Sequence, residues 1–148
     1  MASDGEARQV VVVGVDGSDE SIAALSWAGR YAAATGATIR AVHAWHYAAA
    51  VIGTTGRTPE PVTEEVKANQ RKELGKAIDK AHIDPSVHVE ARIAYGHPTQ
   101  VLIDESKTAS LLVVGFKGHG GFTGMLTGSV SLQVVHHAEC PVVVVRGG

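Results

Sequence analysis

Residues 9–15 read QVVVVGV: β-branched, nearly all apolar, with no polar alternation. A strand of that composition is covered on both faces, which is the signature of a parallel sheet buried between helices. Immediately downstream, Ser18 has the character of a helix N-cap. Asp19 and Glu20 follow it in the first turn, where the helix dipole favours acids. Ile22, Leu25, Ala28 and Ala32 form one apolar helical stripe, and Gly36 is a C-terminal stop.

The same unit recurs along the chain. Thr38–Ala44 (TIRAVHA) reads as a second strand, and 46–61, with Gly53, Gly56, Pro59 and Pro61, as a loop. Residues 62–82 carry apolar positions at Val62, Val66, Leu74, Ala77, Ile78 and Ala81 and predict a long amphipathic helix. Gly75 inside it costs about 1 kcal/mol relative to Ala. Val87–Ile93 alternates and reads as an edge strand, and 98–108 as a short helix with Pro98 near its start. Ser110–Gly115 (SLLVVG) is a fourth buried strand and Ser129–His137 a short helix. Pro141–Arg146 (PVVVVR) is the last strand, with Pro141 where a missing donor matters least.

Five strands alternating with four helices predict an α/β fold: a doubly wound five-stranded parallel sheet with helices on both faces. Crossovers in such a sheet are right-handed. Ligands bind beyond the carboxyl ends of the strands, where the strand order reverses. A reversal between the first and fourth strands, the Rossmann-like order 3-2-1-4-5, would build the site from the residues just after Val15 and just after Val114.

Length and composition agree with one domain over residues 1–148, of which 1–8 are expected to be disordered. The formal net charge of −2 gives no electrostatic footprint for nucleic acid. No segment reads as a membrane span or a signal peptide, so a cytoplasmic location is expected. The single cysteine, Cys140, excludes a disulfide framework and fits a reducing compartment. It precedes Pro141 and a buried strand, and reads as an inert thiol. The eight histidines show no metal-binding spacing.

The second half of the proposed site reads GFKGHGGFTGMLTGSVS from Gly115 to Ser131. Glycines let main-chain N–H groups form a concave anion nest and let a ligand approach closely. Gly128-Ser129 opens the next helix, whose N-terminus offers unpaired N–H groups and partial positive charge. Ser129 and Ser131 add hydroxyls and Lys117 a point charge, a set suited to a polyphosphate. The segment is not a Walker A loop, because no Gly-Lys-Ser/Thr ends it. It also follows the wrong strand for the dinucleotide fingerprint.

This pattern, Gly115-x-x-Gly118, nine residues and Gly128-Ser129, resembles the signature of the universal stress protein family. The start VVVGVDGS, the second strand AVHAW and the flanks LLVVG and GSVSLQVVHHAECPVVVVR resemble the family as well, so the likeness covers residues 9–146. The glycine pattern is that of the family's ATP-binding branch. By position, the resemblance implies that Gly14 and Val15 line the base and sugar pocket, and that Asp16 contacts the ribose or a phosphate-bound Mg²⁺. It implies that Ala44 meets the adenine through its backbone. Gly115, Lys117, Gly118 and His119 would wrap the phosphates, and Gly128, Ser129, Val130 and Ser131 would bind them from the helix start. A homodimer through the edge strand 141–146 is implied too.

The expected function is therefore an ATP-binding sensor or switch in stress response, with slow hydrolysis at most and no assigned catalytic residue. Three alternatives stand beside it. One is a dedicated ATPase using Asp16 and His119. Another is a binder of cyclic AMP or a different adenine nucleotide. The last is a nucleotide-free interaction module acting through the edge strand.

Overall fold

The computed structural model describes residues 8–46, 63–116 and 129–147. Along the chain lie β1 (Val10–Gly14), α1 (Asp19–Thr35), β2 (Thr38–Trp45), α2 (Glu64–Ala81), β3 (Val89–Tyr95), α3 (Pro98–Ser106), β4 (Leu111–Phe116), α4 (Ser129–His137) and β5 (Val142–Arg146). The five strands form one parallel sheet in the order β3-β2-β1-β4-β5. This is the expected doubly wound sheet, and its winding reverses between β1 and β4.

The central strand explains the layering. Val11, Val12 and Val13 are completely buried, and successive side chains on a strand point to opposite faces. Val11 and Val13 join the core under α1 and α2, with Leu25, Ile39, Leu74 and Val113. Val12 joins the opposite core under α3 and α4, with Val42, Leu102, Leu112 and Val134. Removing each such valine from water is worth about 1.5–3 kcal/mol, and only a strand apolar at every position can serve both faces.

Local signals set the helix ends. The Ser18 hydroxyl accepts the Ser21 N–H at 3.2 Å and caps α1. Gly36 closes the helix at φ 81°, donating its N–H to the Ala32 carbonyl at 2.8 Å. Thr63 caps α2 through the Val66 N–H at 3.2 Å, so the described helix starts at Glu64; Val62 lies outside the described residues. Pro98 occupies the first turn of α3, where its missing N–H has no helical partner to lose.

β3 runs two residues later than its alternation suggests, Val89–Tyr95 in place of Val87–Ile93. A turn explains the late start: the Asp84 carboxylate accepts the Ser86 N–H at 2.8 Å, and the Asp84 carbonyl accepts the Val87 N–H at 3.0 Å. The Ser86 N–H, and after it the Ser86 side chain, also hold the Asp84 carboxyl below its usual range. Pairing of Trp45 with Tyr95 carries the strand past Ile93.

On the α3 face, charges from β2 and β3 meet a single carboxylate. Glu105 of α3 accepts Arg40 at 3.0 Å and Arg92 at 2.9 Å, and Arg40 also reaches Glu90 at 3.3 Å. The Arg40 and Glu105 side chains are only 15% and 13% exposed, so removing either costs the other a partner in a poorly solvated place, leaving Glu105 its Arg92 ion pair or Arg40 its Glu90 ion pair. The cluster fixes α3 against the strands whose ends build the site.

Gly75 sits mid-α2, and a methyl group at its Cβ position meets nothing within 4 Å. Gly75→Ala is therefore expected to stabilise the fold by about 0.5–1 kcal/mol, read as a higher denaturation midpoint with an unchanged m-value.

Candidate functional site

β1 and β4 stay in register from Val11–Leu111 to Val13–Val113, and their ladder stops there. A cleft of about 170 Å³ lies beyond, at the carboxyl ends of the strands. Gly14 and Val15 from the end of β1 and Val114 and Gly115 from β4 form its walls. Val42 and Ala44 come from β2, Pro98 and Leu102 from α3, and Val130 and Ser131 from the first turn of α4. Asp16, Ser18 and Ser21 complete it with oxygen atoms from the turn into α1. One side is thus aliphatic and the other polar, an arrangement suited to a flat apolar ring carrying hydroxyl or phosphate groups.

The polar side is organised by the turn itself. The Asp16 carboxylate accepts the Ser18 N–H at 2.9 Å and the Ser18 hydroxyl at 2.5 Å. Gly17 between them adopts φ 83°. Ser21 is buried; its hydroxyl donates to the Ser18 carbonyl at 3.0 Å and accepts the Asp16 N–H at 3.3 Å. Asp16 therefore shapes the entry to α1 and places an anionic group on the cleft rim. That position suits a ribose hydroxyl or a Mg²⁺ carried by phosphates; a bare phosphate would be repelled.

Two glycines define how closely the walls approach. A Cβ on Gly115 would lie 2.5 Å from the Glu20 carbonyl oxygen and 2.6 Å from its carbon, so β4 packs main chain to main chain against the start of α1. A Cβ on Gly14 would meet side chains alone, the two Leu102 methyls at 2.8 and 3.4 Å and a Val114 methyl at 3.6 Å. Gly115 is thus required by a main-chain contact, whereas at Gly14 a methyl group would have to displace a side chain.

Of the residues singled out in the sequence, Gly14, Val15, Asp16, Ala44, Gly115, Val130 and Ser131 come together around this one cleft. Ser129 is the first residue of α4, next to Val130. Lys117, Gly118, His119 and Gly128 lie outside the described residues. Sequence reading missed Ser21, Val42, Pro98, Leu102 and Val114 as cleft residues. A strand's period of two, which sets Val42 on the face of Ala44, and the four-residue spacing of Pro98 and Leu102 on one helix side were available signals.

The comparisons with known proteins now settle the relationship. The chain matches the universal stress protein family over residues 7–146. It belongs to that family. It is 38% identical over 141 residues to a universal stress protein of Mycolicibacterium smegmatis, covering 95% of this chain and 47% of the relative. The chain spans about half the length of the curated relatives it matches. Among solved structures, it resembles a universal stress protein in complex with cAMP, with TM-score 0.66 and 29% identity over 97% of this chain and 100% of that one. The universal stress protein UspA from Lactobacillus plantarum, at 24% identity and TM-score 0.66 over 95% and 100% of the two chains, shares the fold.

Other chemistry-bearing residues lie away from the cleft. Burial pushes the Cys140 thiol up from its usual pKa. Trp27 stacks on Tyr31 and Trp45 meets Tyr95 edge-on, so both tryptophans act in packing. Among the described residues, no group of three His, Cys, Asp or Glu side chains is placed to hold a metal ion, and no helix is long and apolar enough to cross a membrane.

The two wall glycines are expected to respond differently to alanine. Gly115→Ala must push apart main chains and should cost about 1–3 kcal/mol, while Gly14→Ala can be absorbed by a rotation of Leu102. Thermal melts should therefore show a drop of several degrees for Gly115→Ala and a smaller one for Gly14→Ala.

Proposed function

We propose that this cleft binds an adenine nucleotide, with ATP as the ligand, and that the protein works as a nucleotide-dependent sensor or switch in stress response. The observation that carries the reading is the cleft at the reversal point. Its aliphatic side suits a purine, its Asp16 rim suits ribose hydroxyls, and its far end is the N-terminus of α4, with Ser131 in its first turn. The glycine pattern between β4 and α4 in the sequence is of a composition suited to binding a polyphosphate. The similar structure solved with cAMP supports the adenine class. Asp16 would bond the ribose or hold the phosphates through Mg²⁺, with hydrolysis slow at most. A cytoplasmic location accords with the single unpaired cysteine.

Thermal shift tests the ligand. At a hundred times Kd a nucleotide adds about 2.7 kcal/mol, which is about 5–10 °C for a domain of this size. A shift with millimolar ATP–Mg²⁺ that exceeds the shift with cyclic AMP is expected. No shift with either rejects the proposal, and a larger one with cyclic AMP reassigns the ligand. Mass spectrometry of nucleotide released from the denatured protein gives an independent answer.

We also propose a homodimer through β5. This strand pairs only with β4 in the sheet, and its Val144 is 38% exposed. Leu132 and Val135, on the helix that packs beside it, are 56% and 51% exposed. Apolar surface next to a strand edge is concealed by pairing across a two-fold axis. Sedimentation should show a dimer that Val144→Lys converts to monomer; a monomeric wild-type protein at about 100 µM would exclude it.

A further inference from the structure

The β1–β2 ladder ends in an unusual way. The Val15 N–H bonds the Val42 carbonyl at 2.8 Å, the last step of that ladder. The Val15 carbonyl does not take the next step. It lies 2.9 Å from Nδ1 of His43, a half-buried side chain on the α2 side of the sheet. The other ring nitrogen, Nε2, lies 2.8 Å from the side-chain amide of Gln70 on α2. A carbonyl can only accept, so Nδ1 carries a proton and donates it.

The effect falls on the cleft. Ala44 is the next position on β2 facing β1, and it lines the cleft where a continued ladder would have engaged it. The peptide that His43 holds is the one joining Val15 to Asp16, both cleft residues. Its nitrogen end is held separately, by the Ser21 hydroxyl at 3.3 Å.

We propose that His43 is a positioning residue for the cleft. Its imidazole replaces a ladder bond, fixes the Val15–Asp16 peptide as β1 parts from its neighbours, and links that peptide through Gln70 to α2. The consequence for ligand affinity rests on the adenine-nucleotide reading; the hold on the peptide does not.

Amide exchange in the nucleotide-free protein tests the hold. His43→Leu is expected to speed exchange at the Val15 and Asp16 amides about tenfold, the worth of a hydrogen bond of about 1.4 kcal/mol. The Val11, Val12 and Val13 amides should keep their rates. His43→Asn, which retains an N–H donor close to the Nδ1 position, should restore the slow exchange. Calorimetric titration of the same three proteins with ATP should show Kd raised about tenfold in His43→Leu and recovered in His43→Asn. Equal exchange in the wild type and His43→Leu overturns the proposal, as does a His43→Asn protein no better than His43→Leu. If the exchange difference appears but wild-type protein binds no ATP, the nucleotide reading fails and the hold of His43 on Val15 stands.

Discussion

Burial of β1 on both faces is the constraint from which the rest of the molecule follows. Val11, Val12 and Val13 contribute to two separate cores while their main chain pairs with β2 on one side and β4 on the other. A strand in that position cannot expose an N–H or a carbonyl without a partner. Its end is therefore the first place where main-chain groups can turn to other uses. The chain leaves the sheet at Val15, and within a few residues it has formed the turn, the cap of α1 and one wall of the cleft.

Close approach governs the opposite wall. Gly115 lets β4 touch the main chain of Glu20 at the start of α1, which brings the ends of β1 and β4 to a fixed separation. Glu105 fastens α3 to β2 and β3 through Arg40 and Arg92, so Pro98 and Leu102 face the cleft from a helix that has little freedom to slide. Fixed walls of this kind favour affinity, because the ordering cost of binding has been met in folding.

Much of this was legible in the order of residues. QVVVVGV could only be a strand covered twice, and Ser18 and Gly36 mark the ends of α1 through capping chemistry that acts within four residues. Seven of the singled-out residues surround one cleft because strand ends and helix starts in a doubly wound sheet converge at the reversal point. The start of β3 was read two residues early, because the turn made by Asp84 competes with the alternating pattern of Val87 and Val89. Ser21 and Leu102 escaped notice because each looks like an ordinary helix residue until its neighbour across space is known.

By itself the sequence determined the parallel α/β sheet, the helix limits set by local caps, and the two segments that carry the site. Each of these rests on periodicity or on contacts close along the chain. Only the tertiary structure decided what individual residues do there. Gly115, read as part of a phosphate wrap, proves to be required by a contact with Glu20 nearly a hundred positions earlier in the chain. His43, in the sequence one of the histidines without a metal-binding spacing, reaches both Val15 and Gln70. Those roles depend on distances between segments remote in sequence, which no local pattern encodes.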